Sequence, residues 1–525
     1  MKKTVAFSLS LLLSFTLMLS GCSAGGGLEG GYGDAPSLEL GEGYADNGGN
    51  YAPMPDGDFG DATLGDGYNS YPYDYSYEGE QYLNIIEQGR RFTVSDPEIT
   101  LSLKVDTAAY SNMRRYIENG QLPPADAVRT EELINYFEYD EPIAPVGESP
   151  FAVYTELGTS PFDSSKKLAF IRIKTEDIDK NELPPSNLVF LIDTSGSMES
   201  YDKLPLLQNA FSLLTDTLDE DDRISIVTYA GSSKVVLSGV RGSEKNRINS
   251  AIFELSAGGS TAGAEGIQTA YSLAQEYFIR GGNNRVILAT DGDFNVGLSD
   301  TASLADFIGE KRDTGIYLSV LGFGTGNIRD DIMETLSKEG NGNYSYLDSQ
   351  QTAKKVLINE LGSNLFTVAN DVKALVAFNP EAVESYRLIG YENRTMNNED
   401  FADDRKDAGE MGAGSDIVIL FELDMTDESA TPFTVNIRYK DPGASASQLI
   451  TVAAKPLSAW GSNTTDFGFA SSVALFGDLL RHPNDASFRQ LDTVITLAES
   501  NLGRDREAYR EEYLRLLYTA SELIG

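Results

Sequence analysis

Between residues 186 and 365 short, unbroken apolar runs alternate with stretches whose apolar residues recur every three or four positions. Residues 188–192, Leu-Val-Phe-Leu-Ile, form the clearest run. A run of that length without a polar break marks a strand buried on both faces of a parallel sheet. After it, Leu204, Leu207, Phe211, Leu214 and Leu218 draw a helical stripe. The alternation continues with strands at 223–229, 234–237, 286–290, 316–322 and 344–347, and helices at 244–255, 262–278, 303–312, 328–337 and 353–365. Strand and helix in turn predict an α/β domain built on a doubly wound, mainly parallel sheet.

The pattern changes on both sides of this domain. From Asp371 onward come strands without helices between them, at 372–378, 384–391, 417–425, 433–439 and 449–453, broken by a polar loop over 393–414. That is the signature of an antiparallel sandwich. Helical patterns over 467–480, 488–497 and 508–523 close the chain. On the amino-terminal side, Asp106-Thr107 can cap a helix carrying Met113, Tyr116 and Ile117 that stops at Gly120. A second helix places Val128, Leu133, Ile134 and Phe137 on one side, and strands follow at 151–157 and 168–174. The second of these puts Ala169, Ile171 and Ile173 on one face, which is wholly apolar and needs something to pack on. Two strands and two short helices are too little for a core of their own. Residues 92–181 and 366–456 are therefore expected to form one β-rich module, with the α/β domain inserted between its halves. The expected divisions are 92–185, 186–365, 366–456 and 457–525.

The beginning of the chain has none of these patterns. Lys2 and Lys3 precede a mostly apolar stretch from Val5 to Leu19, too short for a stable membrane span and flanked as an export signal is. It ends Leu19-Ser20-Gly21-Cys22, which resembles the lipobox of bacterial lipoproteins and implies lipidation of Cys22 after removal of residues 1–21. Residues 22–91 are rich in Gly, Asp and Tyr and poor in aliphatics, so they are expected to be a disordered tether. About sixty such residues span roughly 40 Å root-mean-square. The net charge of −39 repels phosphate and so argues against nucleic acid, and it disfavours direct adsorption to an anionic bilayer. The lipid is then the only membrane attachment. With Cys22 the single cysteine, no intramolecular disulfide is available.

Candidate chemistry sits at strand ends. Asp193, Ser195 and Ser197 follow the first apolar run at i, i+2 and i+4, which in an extended segment points all three side chains the same way. Thr261 stands in a Gly258-Gly259-Ser260-Thr261 loop before a helical stretch, and Asp291-Gly292 ends the run beginning at Val286. Carboxylates and hydroxyls are hard oxygen donors suited to Mg²⁺ or Mn²⁺. Open α/β sheets bind ligands beyond the carboxyl ends of their strands, where these residues lie. The constellation resembles the metal-ion-dependent adhesion site of the von Willebrand factor type A domain, written Asp-x-Ser-x-Ser, then Thr, then Asp-Gly. The blocks before and after residues 186–365 resemble the flanking regions of a bacterial family of lipoproteins carrying that domain. The resemblance implies that Ser195, Ser197 and Thr261 lie near the ion, that the two aspartates often act through water, and that a partner protein completes the coordination with an acidic side chain.

Enzymatic readings find little support. The single histidine, His482, falls beside Pro483 among the closing helices, and no Gly-x-Ser-x-Gly elbow is present. Gly322-Phe-Gly-Thr-Gly-Asn327 grazes a dinucleotide fingerprint, but its third glycine comes one place early and late in the sheet, so a turn beside the metal crevice is expected. The expectation is a non-enzymatic cell-envelope lipoprotein that binds a protein partner through a metal ion. The alternatives are a metal-independent scaffold and a metal-assisted envelope hydrolase. If lipid at Cys22 is the sole anchor, Cys22→Ser leaves the chain unprocessed or released on fractionation; a variant still cleaved and firmly membrane-bound contradicts the reading.

Overall fold

The computed structural model describes residues 79–178, 183–259, 263–292, 301–360, 366–406, 408–483 and 488–524. The expected signal segment, Cys22 and most of the tether lie outside them. The amino-terminal block contributes strands β1 (Arg91–Phe92) and β2 (Glu98–Ser102), helices α1 (Ala108–Glu118) and α2 (Thr130–Ile134), then β3 (Phe151–Thr159) and β4 (Lys167–Thr175). The central domain runs β5 (Ser186–Asp193), α3 (Leu204–Thr217), β6 (Arg223–Ala230), β7 (Ser232–Arg241), α4 (Lys245–Phe253), α5 (Gly263–Glu276), β8 (Asn283–Thr290), α6 (Thr301–Arg312), β9 (Tyr317–Phe323), α7 (Asp330–Glu339), β10 (Tyr344–Leu347) and α8 (Gln350–Lys354). The last block holds β11 (Thr367–Phe378), β12 (Val383–Ile389), β13 (Thr395–Met396), β14 (Met411–Gly412), β15 (Asp416–Met425), β16 (Phe433–Lys440), β17 (Gln448–Ala453) and helices α9 (Thr465–Arg481), α10 (Phe488–Ser500) and α11 (Tyr509–Ile524).

The central sheet has the order β10-β9-β8-β5-β6-β7, parallel except for the antiparallel edge strand β7. Every residue of β5 is buried. Leu188, Phe190 and Ile192 face a core shared with α3 and α4, while Val189 and Leu191 face one shared with α5, α6 and α7. That two-sided burial is why the strand reads as an unbroken apolar run.

Around this domain the chain closes on itself. One sheet has the order β1-β12-β15-β4-β3 and the other β13-β2-β11-β16-β17. β4, which precedes the α/β domain, pairs antiparallel with β15, which follows it, from Lys174↔Asp416 to Lys167↔Leu423. β2 pairs in the same way with β11. The α/β domain is thus inserted in a two-sheet β-module whose halves are completed across it. Ala169, Ile171 and Ile173 fill the core between the two sheets, together with Val376, Phe421 and Val435. The opposite face of β4 is buried as well: Leu168 and Phe170 pack under α1, α2 and the closing helices. Arg172 on that face is sealed by Asp416, 2.6 Å away.

A second seam is ionic. Arg129 donates to Asp330 of α7 at 2.6 Å and to Glu132 at 2.6 Å, with all three buried. Arg394, from the loop after β12, donates to Asp106 at 2.9 Å and to Glu334 of α7 at 3.4 Å. Asp106 also accepts the Tyr344 backbone N–H at 2.9 Å. Arg114 of α1 joins Asp348 to Glu512 of α11, each at 2.5 Å. These guanidiniums bind the amino-terminal block, the α/β domain and the closing segments to one another.

Several expectations are corrected. Asp106 does not cap α1 but turns into the ionic seam, where it accepts from a guanidinium and a strand N–H, while the Ala109 N–H at the buried start of α1 donates to Glu132 at 2.9 Å. The second amino-terminal helix is only one turn and a half, Thr130–Ile134, so Val128 and Phe137 reach the core from its flanks. The tether was expected to extend to residue 91, yet the chain is already packed at Glu80, whose side chain is 1% exposed. β2, with Ile99 and Leu101 buried, was not predicted; it is short and follows a proline. The helix expected over 353–365 is α8 followed by a π-helical turn, Lys355–Asn359.

Around Arg129 and Arg394 the seam gathers the carboxylates of Asp106, Glu132, Asp330 and Glu334, and Glu132 is the one driven toward its neutral form. Burial pushes its carboxyl up to about 8, with Glu334 and Asp106 adding to the push against the pull of Arg129. A folded pKa above the unfolded one means that the held proton stabilises the fold at low pH, and that this contribution is lost as pH rises through about 8. Denaturant unfolding of the parent is expected to lose roughly 2 kcal/mol between pH 6.5 and 9 from this group. Glu132→Gln, which cannot ionise, should flatten that slope; an equal slope in parent and variant refutes the assignment.

Candidate metal centre

The crevice is formed where β5 and β8 end side by side. The two strands are in parallel register with Ile192 opposite Ala289, which brings Asp193 and Asp291 out of adjacent strands at the same edge. Both carboxylates are fully buried. Asp193 Oδ1 accepts the Ser195 N–H at 2.8 Å, turning the chain back so that the Ser195 and Ser197 hydroxyls meet at 2.9 Å. Met198, wholly buried, anchors the turn in the core while Ser197 stays exposed. Thr261 lies outside the described residues, but the loop leading to it is tied to the same turn. Gly258 N–H donates to the Thr194 carbonyl at 2.8 Å, and Gly196 N–H to the Gly259 carbonyl at 3.2 Å.

Gly292 explains the residue after the second aspartate. Its φ is +113°, and a Cβ there would stand 2.3 Å from the Asn327 carbonyl oxygen, so no side chain fits. The Gly322–Asn327 stretch is thereby placed against the end of β8, as a turn beside the crevice. Gly326 N–H donates at 2.9 Å to Glu80, which also receives Arg115 through both guanidinium nitrogens at 2.8 Å. Burial opposes charge on Glu80, but Arg115 and the Gly326 N–H outweigh it and hold the carboxyl below its usual range. The first described residues therefore clamp a loop of the crevice.

The donor set fits a hard divalent cation. Asp193 Oδ2 is sealed from solvent without a hydrogen bond of normal geometry, although the Tyr229 hydroxyl lies close enough to act on the carboxylate. Burial raises the Asp193 carboxyl to about 6, and the neighbouring charge of Asp291 adds to the effect. Two buried carboxylates side by side make a place that favours positive charge. No cluster of three or more His, Cys, Asp or Glu side chains able to hold a metal occurs among the described residues. The single histidine is engaged elsewhere, with Nε2 3.1 Å from Glu87 and Nδ1 3.0 Å from the Asp478 carbonyl.

Sequence reading missed one residue that the fold brings to the centre. Lys203 donates from Nζ to Asp291 Oδ2 at 2.9 Å, and its side chain is 9% exposed. It stands at the N-cap of α3. A cation is disfavoured there by the helix dipole, and that broken local rule was the only available signal.

The von Willebrand factor type A domain family matches residues 187–359. A family described as von Willebrand factor matches 76–169, and one described as the C-terminal part of uncharacterized protein YfbK matches 363–432 and 424–523. The chain is 41% identical over 454 residues to YfbK of Escherichia coli (strain K12), an alignment covering 81% of this chain and 78% of that protein. Protein sll0103 of Synechocystis is 28% identical over 193 residues, covering 36% of this chain and 44% of that one. Among solved structures, a von Willebrand factor type A protein from Catenulispora acidiphila is similar at 16% identity and a TM-score of 0.43, over 73% of this chain and 91% of that one.

The raised Asp193 carboxyl has a consequence without metal. Its ionised form costs stability above the unfolded pKa, so the chelated parent should gain stability as pH falls from 7 toward 5. Asp193→Asn removes the penalty and is expected to melt higher than the parent in chelator at pH 7, by a margin on the order of 3 kcal/mol that falls to roughly half by pH 5. A variant that melts lower at pH 7 overturns this account.

Proposed function

Since this chain belongs to the von Willebrand factor type A family, alongside YfbK of Escherichia coli, we propose that its α/β domain binds a protein partner through a divalent ion, Mg²⁺ or Mn²⁺, held by Asp193, Ser195, Ser197, Thr261 and Asp291. The observation that carries the reading is the pair of buried carboxylates, Asp193 and Asp291, side by side at a turn where two hydroxyls converge. Two carboxylates and three hydroxyls leave such an ion electrophilic, with a position open to an oxygen ligand. The chain's own groups do the rest. The Ser195 N–H fixes one oxygen of Asp193, Gly292 lets the β8 end lie against the 327–329 turn, and exposed Ser197 marks the side from which a partner approaches. An acidic partner side chain suits the open position. The net charge of −39 opposes it at long range, but screening confines that field to roughly 8 Å at physiological salt.

The protein is on this reading a binding module and not an enzyme, exported and lipid-anchored through Cys22 to the bacterial cell envelope. No described helix is long and apolar enough to cross a membrane. Calorimetry on the chain lacking residues 1–22 is expected to find one Mg²⁺ or Mn²⁺ site that Asp193→Ala abolishes while the fold persists. Capture of a partner from membrane extracts should be lost with a chelator. Equal metal affinity in parent and variant sinks the metal site, whereas chelator-insensitive capture favours the scaffold.

A further inference from the structure

Lys203 puts a fixed positive charge into the metal centre, and the chain is built to keep it there. Its ammonium lies 2.9 Å from Asp291 Oδ2 in a buried pair. The aliphatic stem passes directly beneath Gly324: a Cβ at that residue would fall 2.0 Å from Lys203 Cε and 2.6 Å from Cγ. Gly324 itself is held in place by the Tyr346 hydroxyl, which donates to its carbonyl at 2.6 Å, and its φ of +72° suits glycine. Turn, strand β10 and helix start thus combine to make a channel for one lysine ending on one carboxylate.

A cation in this position opposes a second cation and favours an anion. With Lys203, the two aspartates carry a net charge of −1; a divalent ion turns the site to +1. Without Lys203 the loaded site would be neutral. We infer that Lys203 is a specificity-determining residue of the centre: it weakens the hold on the divalent ion, and it reserves the open coordination position for an anionic oxygen ligand such as a carboxylate, over water or a neutral carbonyl. When the ion leaves, the same ammonium keeps Asp291 paired, so the empty crevice does not carry two uncompensated buried charges. This inference rests on the metal-binding reading above and adds the chemical selectivity of that site.

The test uses the full chain in detergent, with Mn²⁺ as the metal and acetate as the anionic probe, followed by the electron paramagnetic resonance signal of free Mn²⁺. Lys203→Met keeps the stem without the charge, and Lys203→Gln keeps a hydrogen-bond donor without the charge. Both are expected to bind Mn²⁺ roughly tenfold more tightly than the parent, because a like charge has been removed from beside the ion. Acetate should tighten Mn²⁺ binding in the parent and do so several-fold less in either variant, a coupling that a merely structural lysine would not produce. In chelator both variants should melt below the parent, since Asp291 is left without its ammonium. Parent and variants with the same Mn²⁺ affinity and the same response to acetate overturn the inference while leaving the metal site intact. A parent that binds no Mn²⁺ overturns the metal reading itself, and this inference with it.

Discussion

The structure turns on a few guanidiniums buried where three parts of the chain meet. Arg129 joins the amino-terminal block to helix α7 of the α/β domain through Asp330, and it does so fully buried. Such a pair adds little over well-packed apolar residues, but removing one partner strands a charge at a cost of roughly 3–5 kcal/mol. The seam therefore works as a specificity device. It fixes which helix faces which block, since slippage would leave Asp330, Glu334 or Arg394 unpaired in a dry interior. Glu334 is shared between Arg129 and Arg394, so the amino-terminal block and the sandwich loop bear on the same helix.

The second constraint is topological. Neither half of the β-module closes without the other, because β4 and β15, and β2 and β11, are separated in sequence by the whole inserted domain. An insertion of this kind requires the ends of the inserted domain to lie near each other, which a doubly wound sheet allows. It also ties the domain on more than one side. Besides the seam at α7, Glu80 and Arg115 hold the Gly324–Asn327 turn that borders the crevice. The metal centre is thus framed by contacts from outside its own domain, and a ligand that shifted that turn would act on packed, charged joints.

Charge at the centre follows from the same economy of burial. Asp193 and Asp291 follow the apolar runs 188–192 and 286–289 and are fully buried, so water cannot solvate them and positive charge must come from elsewhere. Lys203 supplies part of it from within the chain, and a hard divalent ion supplies the rest on the proposed reading. Both are oxygen-directed interactions that a soft-metal site would not provide.

The α/β domain was legible in the sequence because burial on two faces erases polar positions, and the short apolar runs 188–192 and 286–289 alternate with helical stripes. The strand-end positions of Asp193 and Asp291 could be read for the same reason, but Ser195 and Ser197 do not continue the strand as an extended segment: β5 ends at Asp193 and a 3-10 turn over Gly196–Glu199 brings the two hydroxyls together. The insertion could be argued from need, as 169, 171 and 173 demanded a partner face that the amino-terminal half lacked. What the sequence could not contain were interactions chosen by the assembled surfaces. Asp106 reads as a helix cap by local rules and became a strut of the ionic seam only when Tyr344 and Arg394 were brought to it. Glu80 sits at the end of a polar, glycine-rich stretch and is buried because Arg115 and Gly326 await it. Lys203 violates the charge preference of its helix start, and the carboxylate that repays it lies 88 residues further along the chain. Local pattern determined most of which segments are strands and helices, though not β2 or the ends of the helices at 130–134 and 350–354; long-range electrostatics in a dry interior decided which of the charged residues meet.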